Sequence, residues 1–365
     1  MSKEMLRVLV VDDSALMRKL IPQIIERDSS IHVVGTAMDG AFALKKIEEL
    51  QPHVITLDLE MPRMDGMETL RAIMRQSRLP VIVVSAHTTQ GASATFKALA
   101  LGAFDFVAKP QDALSANMDA IATELINKIK VAAETRISKA QPEVPSIRRN
   151  KKSGEKRLPA RRIVAVGVST GGPNALQYVL SQLPADFPAA IVVVQHMPEG
   201  FTELFARRLD ECCAIDVKEA ASGDLLLAGR ALICPGNRHM RVKRMPLGDI
   251  VVLSEEPKIN GHRPSVDVLY RSVAHEFGRD ALGLIMTGMG EDGADALGEI
   301  RKQGGITIAQ DEESCVVYGM PRAAIDRGSV MRVVPLDALA NTLMAQCAER
   351  SRAGTETMSF GRARS

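Results

Sequence analysis

The chain has 365 residues, 46% of them hydrophobic and 25% charged, with a formal net charge of +2. That length exceeds what one hydrophobic core usually supports and predicts two domains of roughly 100 to 200 residues each. No apolar run reaches the ~18 residues a membrane span needs, and balanced charge with 3% aromatic residues leaves no footprint for nucleic acid as a partner.

Between residues 5 and 110, five β-rich runs, LRVLVV, HVVGTA, VITLDL, VIVVSA and FDFVAK, alternate with helix-periodic stretches such as ALMRKLIPQIIERD. Runs apolar on both faces, interleaved with amphipathic helices, predict a doubly wound parallel α/β sheet over residues 1–130. Residues 131–160, rich in Lys, Arg, Pro and Ser, read as a flexible basic linker. Beyond it, RRIVAVGVS, AAIVVVQHM, RALICPG, IVVLSE, ALGLIMTGM and ITIAQD predict a second α/β domain over 161–350, and 351–365 reads as a tail without a core-forming pattern. The start, MSKEMLRVLVVDD, runs into a strand without a small-residue cleavage site, and five cysteines form no CxxC pair; both point to the reducing cytoplasm.

In the first domain Asp12 and Asp13 follow the first strand, Asp58 ends the third, Ser85 the fourth and Lys109 the fifth. A doubly wound sheet brings these strand ends to one edge. Two carboxylates about 4 Å apart repel by roughly 4 kcal/mol at an effective dielectric near 20, so the pocket calls for a cation. Hard oxygen donors without Cys or His suit Mg²⁺. Helix capping would explain Asp12 and Asp13 but neither Asp58 nor Lys109. The segments VVDDS, TLDLEMPRMDG, VSA and FVAKP resemble the response-regulator receivers of two-component signalling, whose fold is flavodoxin-like. The resemblance implies that Asp58 accepts a phosphoryl group from a histidine kinase and that Asp12, Asp13, Asp58 and the Glu60 carbonyl arrange Mg²⁺. It also implies that Lys109 pairs with the phosphate, that Ser85 is the switch hydroxyl and that Phe106 is the reorienting aromatic.

In the second domain Gly167-Val168-Ser169-Thr170-Gly171 fits GxSxG between a strand and a helix whose first turn includes Pro173. Such a turn exposes a serine hydroxyl beside helix amides able to stabilise an oxyanion. A plain helix cap is the competing reading, and a phosphate-binding turn is disfavoured by the missing GxGxxG spacing and P-loop lysine. Of the candidate bases His196, His239, His262 and His275, His196 ends the next strand-like run after Ser169. Asp224, Asp267, Asp292, Asp295 and Asp311 all lie in or near possible loops, and Asp292 is favoured because it follows an apolar strand that opens into glycine-rich backbone.

GVSTGGP, VVVQHMP, ICPGNRHM, HRPSVDVL and MTGMGEDGA resemble the catalytic domain of the chemotaxis protein-glutamate methylesterases, a Rossmann-like α/β domain. The resemblance implies a Ser169, His196 and Asp292 triad, with the Thr170 and Met289 amides as oxyanion donors and no cofactor for the hydrolase. It further implies a cytoplasmic, monomeric enzyme that demethylates glutamyl esters and deamidates glutamines of methyl-accepting chemoreceptors once its receiver is phosphorylated. The alternative is a response regulator whose second domain binds DNA or protein, with Ser169 as a cap.

Overall fold

The computed structural model describes residues 5–86, 88–109, 118–134 and 157–356, and the chain divides into two units, Met1–Gln141 and Pro142–Ser365. In the first unit the apolar runs form β1 (Leu6–Val11), β2 (Ile31–Ala37), β3 (Val54–Leu57), β4 (Val81–Ser85) and β5 (Asp105–Ala108). Between and after them lie α1 (Ala15–Ile25), α2 (Gly40–Leu50), α3 (Gly66–Gln76), α4 (Thr89–Ala100) and α5 (Met118–Glu134). Every residue of β3, β4 and β5 is buried, as strands covered on both faces require, and the parallel order is β2-β1-β3-β4-β5. Four helices start where a short polar side chain accepts an amide hydrogen: Ser14 from Met17, Asp39 from Phe42, Asp65 from Glu68 and Thr88 from Gly91. Each such cap contributes about 1 kcal/mol and fixes the strand-to-helix turn that ends at the pocket.

The second unit contains β6 (Ile163–Val168), α6 (Gly172–Ser181), β7 (Ala190–Gln195), α7 (Phe201–Cys212), β8 (Asp216–Glu219), β9 (Arg230–Ile233), β10 (His239–Lys243) and β11 (Ile250–Ser254). It continues through α8 (Val266–Phe277), β12 (Ala281–Ile285), α9 (Ala294–Lys302), β13 (Ile306–Gln310), α10 (Met320–Asp326), β14 (Arg332–Val334) and α11 (Leu336–Glu356). Seven parallel strands run in the order β14-β13-β12-β6-β7-β9-β8, and β10 and β11 form a separate antiparallel pair. The central strands β6, β7, β12 and β13 are buried throughout. Helix α8 turns Val266, Leu269, Tyr270, Val273 and Phe277 into the core at helical spacing, each worth roughly 1.5–3 kcal/mol of burial.

Both α/β domains follow the sequence reading, with local differences. Strands β8, β10 and β14 were not foreseen, because DVKE, HMRVK and RVV are short and carry charge at the sheet margins. The run IVVLSE is a strand but lies outside the main sheet. Helix α5 continues to Glu134, inside the segment read as linker, while at its other end Ala160 donates to Leu226 O and Ala228 to Leu158 O, tying that stretch into the second domain. Helix α11 reaches Glu356 because the Ala-, Glu- and Arg-rich run after Gln346 sustains it. The remaining linker residues 135–156 and tail residues 357–365 lie outside the described residues. Among the described residues no helix is long and apolar enough to cross a membrane.

Candidate active site

Two strand-edge sites emerge, one in each unit. In the first, carboxylate oxygens of Asp12, Asp13 and Asp58 lie within 4.8 Å of one another. Ser14, not an aspartate, caps α1, so capping does not account for the cluster; Asp12 Oδ1 instead accepts from the Ser14 amide at 2.9 Å. Lys109 Nζ reaches both buried acids, 3.0 Å from Asp12 Oδ2 and 2.7 Å from Asp58 Oδ2, and Asp58 Oδ1 accepts from the Glu60 amide at 3.2 Å. Three carboxylates against one ammonium leave a charge deficit that a hard divalent cation matches. The Gly66 Cα abuts the Asp58 carbonyl so closely that a Cβ there would meet that oxygen at 2.2 Å, which is why α3 starts with glycine beneath the loop. Ser85, at the end of β4, is buried with its hydroxyl unpartnered, and Phe106 is buried edge-on to Phe96 with ring centroids 6.4 Å apart.

The charge pattern of this pocket is asymmetric. At Asp58 burial raises the carboxyl pKa and outweighs the opposing hydrogen bond and charge of Lys109. At Lys109 burial alone would lower the ammonium pKa, but the two facing acids outweigh it and raise it. A carboxyl raised in the folded state costs stability once pH exceeds its unfolded value of about 3.9; the cost is full above the folded value and disappears as pH falls below the unfolded one. Asp58→Asn removes the penalised charge while Asp12 still faces Lys109. The variant's receiver transition in calorimetry at pH 7 should therefore lie above that of the wild type; a lower transition would contradict this account.

In the second unit the sheet reverses direction of growth at β6, which lies between β12 and β7. This switch point is where an open α/β sheet forms a crevice at its carboxyl edge. Ser169 follows β6, His196 follows β7 and Asp292 lies in the loop after β12. Ser169 N donates to Thr287 O at 3.0 Å and His196 N to Val168 O at 3.1 Å, so backbone bonds tie the three loops together. The N-cap of α6 is Gly171 at φ +77°, packed against Val316, and no side chain caps the helix. The capping reading of Ser169 is thereby excluded.

His196 Nε2 lies 2.9 Å from Asp292 Oδ2, while His196 Nδ1 is buried without a hydrogen-bond partner. The Ser169 hydroxyl stands at the same edge but is not bonded to that ring. Bonds of this kind commonly tighten only with substrate. Asp292 is 1% exposed and receives the Val266 amide at 2.7 Å on Oδ2, with the Ser265 hydroxyl at 2.8 Å and the Asp267 amide at 3.3 Å on Oδ1. These donors are the N-terminus of α8, which favours an anion there. Burial works against the Asp292 charge, but His196 and the Val266 and Ser265 donors outweigh it and hold the carboxyl well below the usual range.

The other candidates serve elsewhere. His239 lies in β10 with Nε2 on the Pro257 carbonyl, and His275 is paired with Glu276 on α8. Asp224 receives Lys218 and the Ala221 amide, Asp295 pairs with Arg327, and Asp311 receives Ser314. Asp267 caps the next helix through the Ala296 amide, and burial together with the Asp292 charge raises its carboxyl. The His262 ring stacks on that of His196 with centroids 4.0 Å apart and planes parallel.

Sequence reasoning missed Gln195, whose Nε2 donates to both the Ser169 and His196 carbonyls at 3.0 and 3.1 Å. It also missed Thr287, whose hydroxyl donates to Thr170 O at 3.0 Å and accepts from Val317 N at 3.0 Å. Adjacency to His196 was the only signal for the first, and nothing in the pattern marked the second.

A family model described as CheB methylesterase matches residues 164–343, and one described as response regulator receiver domain matches residues 8–119. The chain is 64% identical over 352 residues to the protein-glutamate methylesterase/protein-glutamine glutaminase 2 of Koribacter versatilis, covering 94% of this chain and 96% of that one. It is 47% identical over 352 residues to the protein-glutamate methylesterase/protein-glutamine glutaminase of Symbiobacterium thermophilum, covering 93% and 96% respectively. The crystal structure of the Thermotoga maritima CheB methylesterase catalytic domain matches with a TM-score of 0.50 at 39% identity, covering 51% of this chain and 98% of that one. A receiver followed by a CheB methylesterase domain, with near-complete mutual coverage, means that this chain belongs to the protein-glutamate methylesterase/protein-glutamine glutaminase family.

Proposed function

We propose that this protein is a phosphorylation-activated serine hydrolase that removes methyl groups from glutamyl esters of methyl-accepting chemoreceptors, releasing methanol, and deamidates receptor glutamines, releasing ammonia. Its role is adaptation in chemotaxis, as a monomer in the cytoplasm. The observation that carries the reading is the His196–Asp292 pair at the carboxyl edge beside the uncapped Ser169 turn. The rival reading, a DNA- or protein-binding output domain, has no support from the relatives, which are named as enzymes.

Ser169 Oγ attacks the γ-carbonyl carbon while His196 takes the hydroxyl proton. With Nε2 engaged by Asp292, Nδ1 is the nitrogen left for that task, the reverse of the ring usage in chymotrypsin-like triads. The charge that develops on the substrate oxygen is met by the Thr170 and Met289 amides. His196 then returns the proton to the departing methoxide, giving methanol, or to the amide nitrogen, giving ammonia. Water, deprotonated by His196, attacks the acyl carbon; Ser169 Oγ leaves and takes that proton back from His196, which frees glutamate and restores the enzyme.

In the receiver, Asp58 accepts a phosphoryl group from a chemotaxis histidine kinase. The carboxylates of Asp12, Asp13 and Asp58 and the Glu60 carbonyl suit Mg²⁺, which when bound neutralises phosphoryl oxygens. Lys109 is positioned to move from its acid partners to the phosphate, the unpartnered Ser85 hydroxyl to donate to it, and Phe106 to respond to Ser85. Acetyl phosphate with Mg²⁺ should accelerate methanol release from methylated receptor by wild type at least tenfold, and Asp58→Asn or removal of Mg²⁺ should abolish the gain. A tenfold change requires only about 1.4 kcal/mol of coupling. Equal stimulation of Asp58→Asn would refute phosphoryl control through this residue.

A further inference from the structure

The segment Ile259-Asn260-Gly261-His262 closes on itself: Ile259 N donates to His262 O at 3.0 Å and His262 N to Ile259 O at 2.9 Å. Asn260 and Gly261 both have positive φ, +52° and +79°, the conformation of a tight two-residue hairpin turn for which Asn-Gly is the favoured pair. The turn contacts both members of the dyad. From its tip, Asn260 Nδ2 reaches Asp292 Oδ1 at 3.4 Å and Asp267 Oδ2 at 2.9 Å. From its flank, the His262 ring lies parallel on the His196 ring at 4.0 Å. The arm behind it is anchored by Arg263, whose Nε and Nη2 donate to Asn237 Oδ1 at 3.1 and 2.7 Å and whose Nη1 donates to Glu255 O at 2.7 Å.

We propose that the Asn260–His262 turn is a positioning device for the base, with His262 as the platform that fixes the plane of the His196 imidazole. A hydrogen bond from one ring nitrogen to Asp292 fixes an edge of the imidazole but leaves it able to rock about that bond. A parallel ring at van der Waals distance removes that freedom, so the direction in which Nδ1 points is fixed. The hydrogen bonds that close the turn are backbone bonds, and Arg263 braces it with side-chain bonds, so the platform does not depend on substrate to form. His262 touches neither substrate nor the transferred proton in this role. It acts through His196.

The inference rests on the hydrolase reading, and its test separates the two. Full-length wild type, His262→Ala, His262→Phe, Ser169→Ala and His196→Gln are compared with acetyl phosphate present, by methanol release from methylated receptor and by the rate at which a fluorophosphonate labels Ser169. His262→Ala should lower both kcat and the labelling rate about tenfold with KM nearly unchanged, the loss being comparable to what a ring-on-ring contact contributes. His262→Phe, which restores a flat face without titratable nitrogens, should recover most of both rates and serves as the control for folding. Wild-type rates in His262→Ala, or a Phe variant no faster than Ala, would overturn the platform. Retained methanol release in Ser169→Ala or His196→Gln would instead overturn the hydrolase reading.

Discussion

Ser169→Ala should fold normally and lose esterase activity by a factor of about 10⁵ to 10⁶, the scale on which removing a triad nucleophile acts in serine hydrolases. Normal folding is expected because Ser169 contributes its backbone, not its hydroxyl, to the local structure: its amide donates to Thr287 O and its carbonyl receives the Gly172 amide and Gln195 Nε2. The helix that follows is capped at Gly171 without help from the serine. Loss of activity with an unchanged melting temperature therefore isolates the hydroxyl as the reacting group. A variant that keeps more than a thousandth of wild-type turnover would remove Ser169 from the chemistry.

Asp292→Asn should be the second most damaging change and, unlike the first, should also destabilise the domain. The wild-type carboxylate is surrounded by donors: His196 Nε2, the Val266 and Asp267 amides, the Ser265 hydroxyl and Asn260 Nδ2. An amide in its place must turn an NH₂ group toward some of them, and each buried group left unpaired costs about 1–3 kcal/mol. If its NH₂ faces His196, the imidazole is forced into the wrong tautomer, for which a loss of about 10⁴ in kcat is the reference scale. The pH dependence follows from the depressed carboxyl. A group lowered in the folded state adds stability above its unfolded value, about 3.9, and that stability is lost as pH falls toward the folded value. The gap in unfolding free energy between wild type and Asp292→Asn should thus be full at neutral pH and shrink as pH is taken below about 4. A gap independent of pH would show that the charge of Asp292 is not what stabilises the loop.

The two sites were legible in the sequence to different degrees, for physical reasons. Strand ends in a doubly wound sheet converge on one edge, so Asp12, Asp13, Asp58 and Lys109 could be assembled from strand positions alone, and the 2.7 Å contact of Lys109 with Asp58 follows that expectation. Ser169 was legible from a local signature, the turn between a strand and a helix. Asp292 was only favoured among several loop acids from its place after an apolar strand, because its selection depends on α8 presenting the amides of Val266 and Asp267 across a gap of more than twenty residues. Asp267 and Asp292 even share Asn260 as a donor, and only the geometry separates the one facing His196 from the one facing Ala296. Gln195 and Thr287 bind backbone carbonyls of other loops, a tertiary role without periodicity or motif. Strands β8, β10 and β14 were missed because short, charged strands lack the apolar runs that mark central ones.

The central claim, a receiver-controlled hydrolase acting through Ser169, is tested most directly by counting products on one methylated receptor with and without acetyl phosphate. Methanol released and carboxylates freed at the methylated glutamates, measured by mass spectrometry, should appear one for one with wild type, rise with the phosphodonor, and be absent with Ser169→Ala. Demethylation that persists in Ser169→Ala would contradict the account.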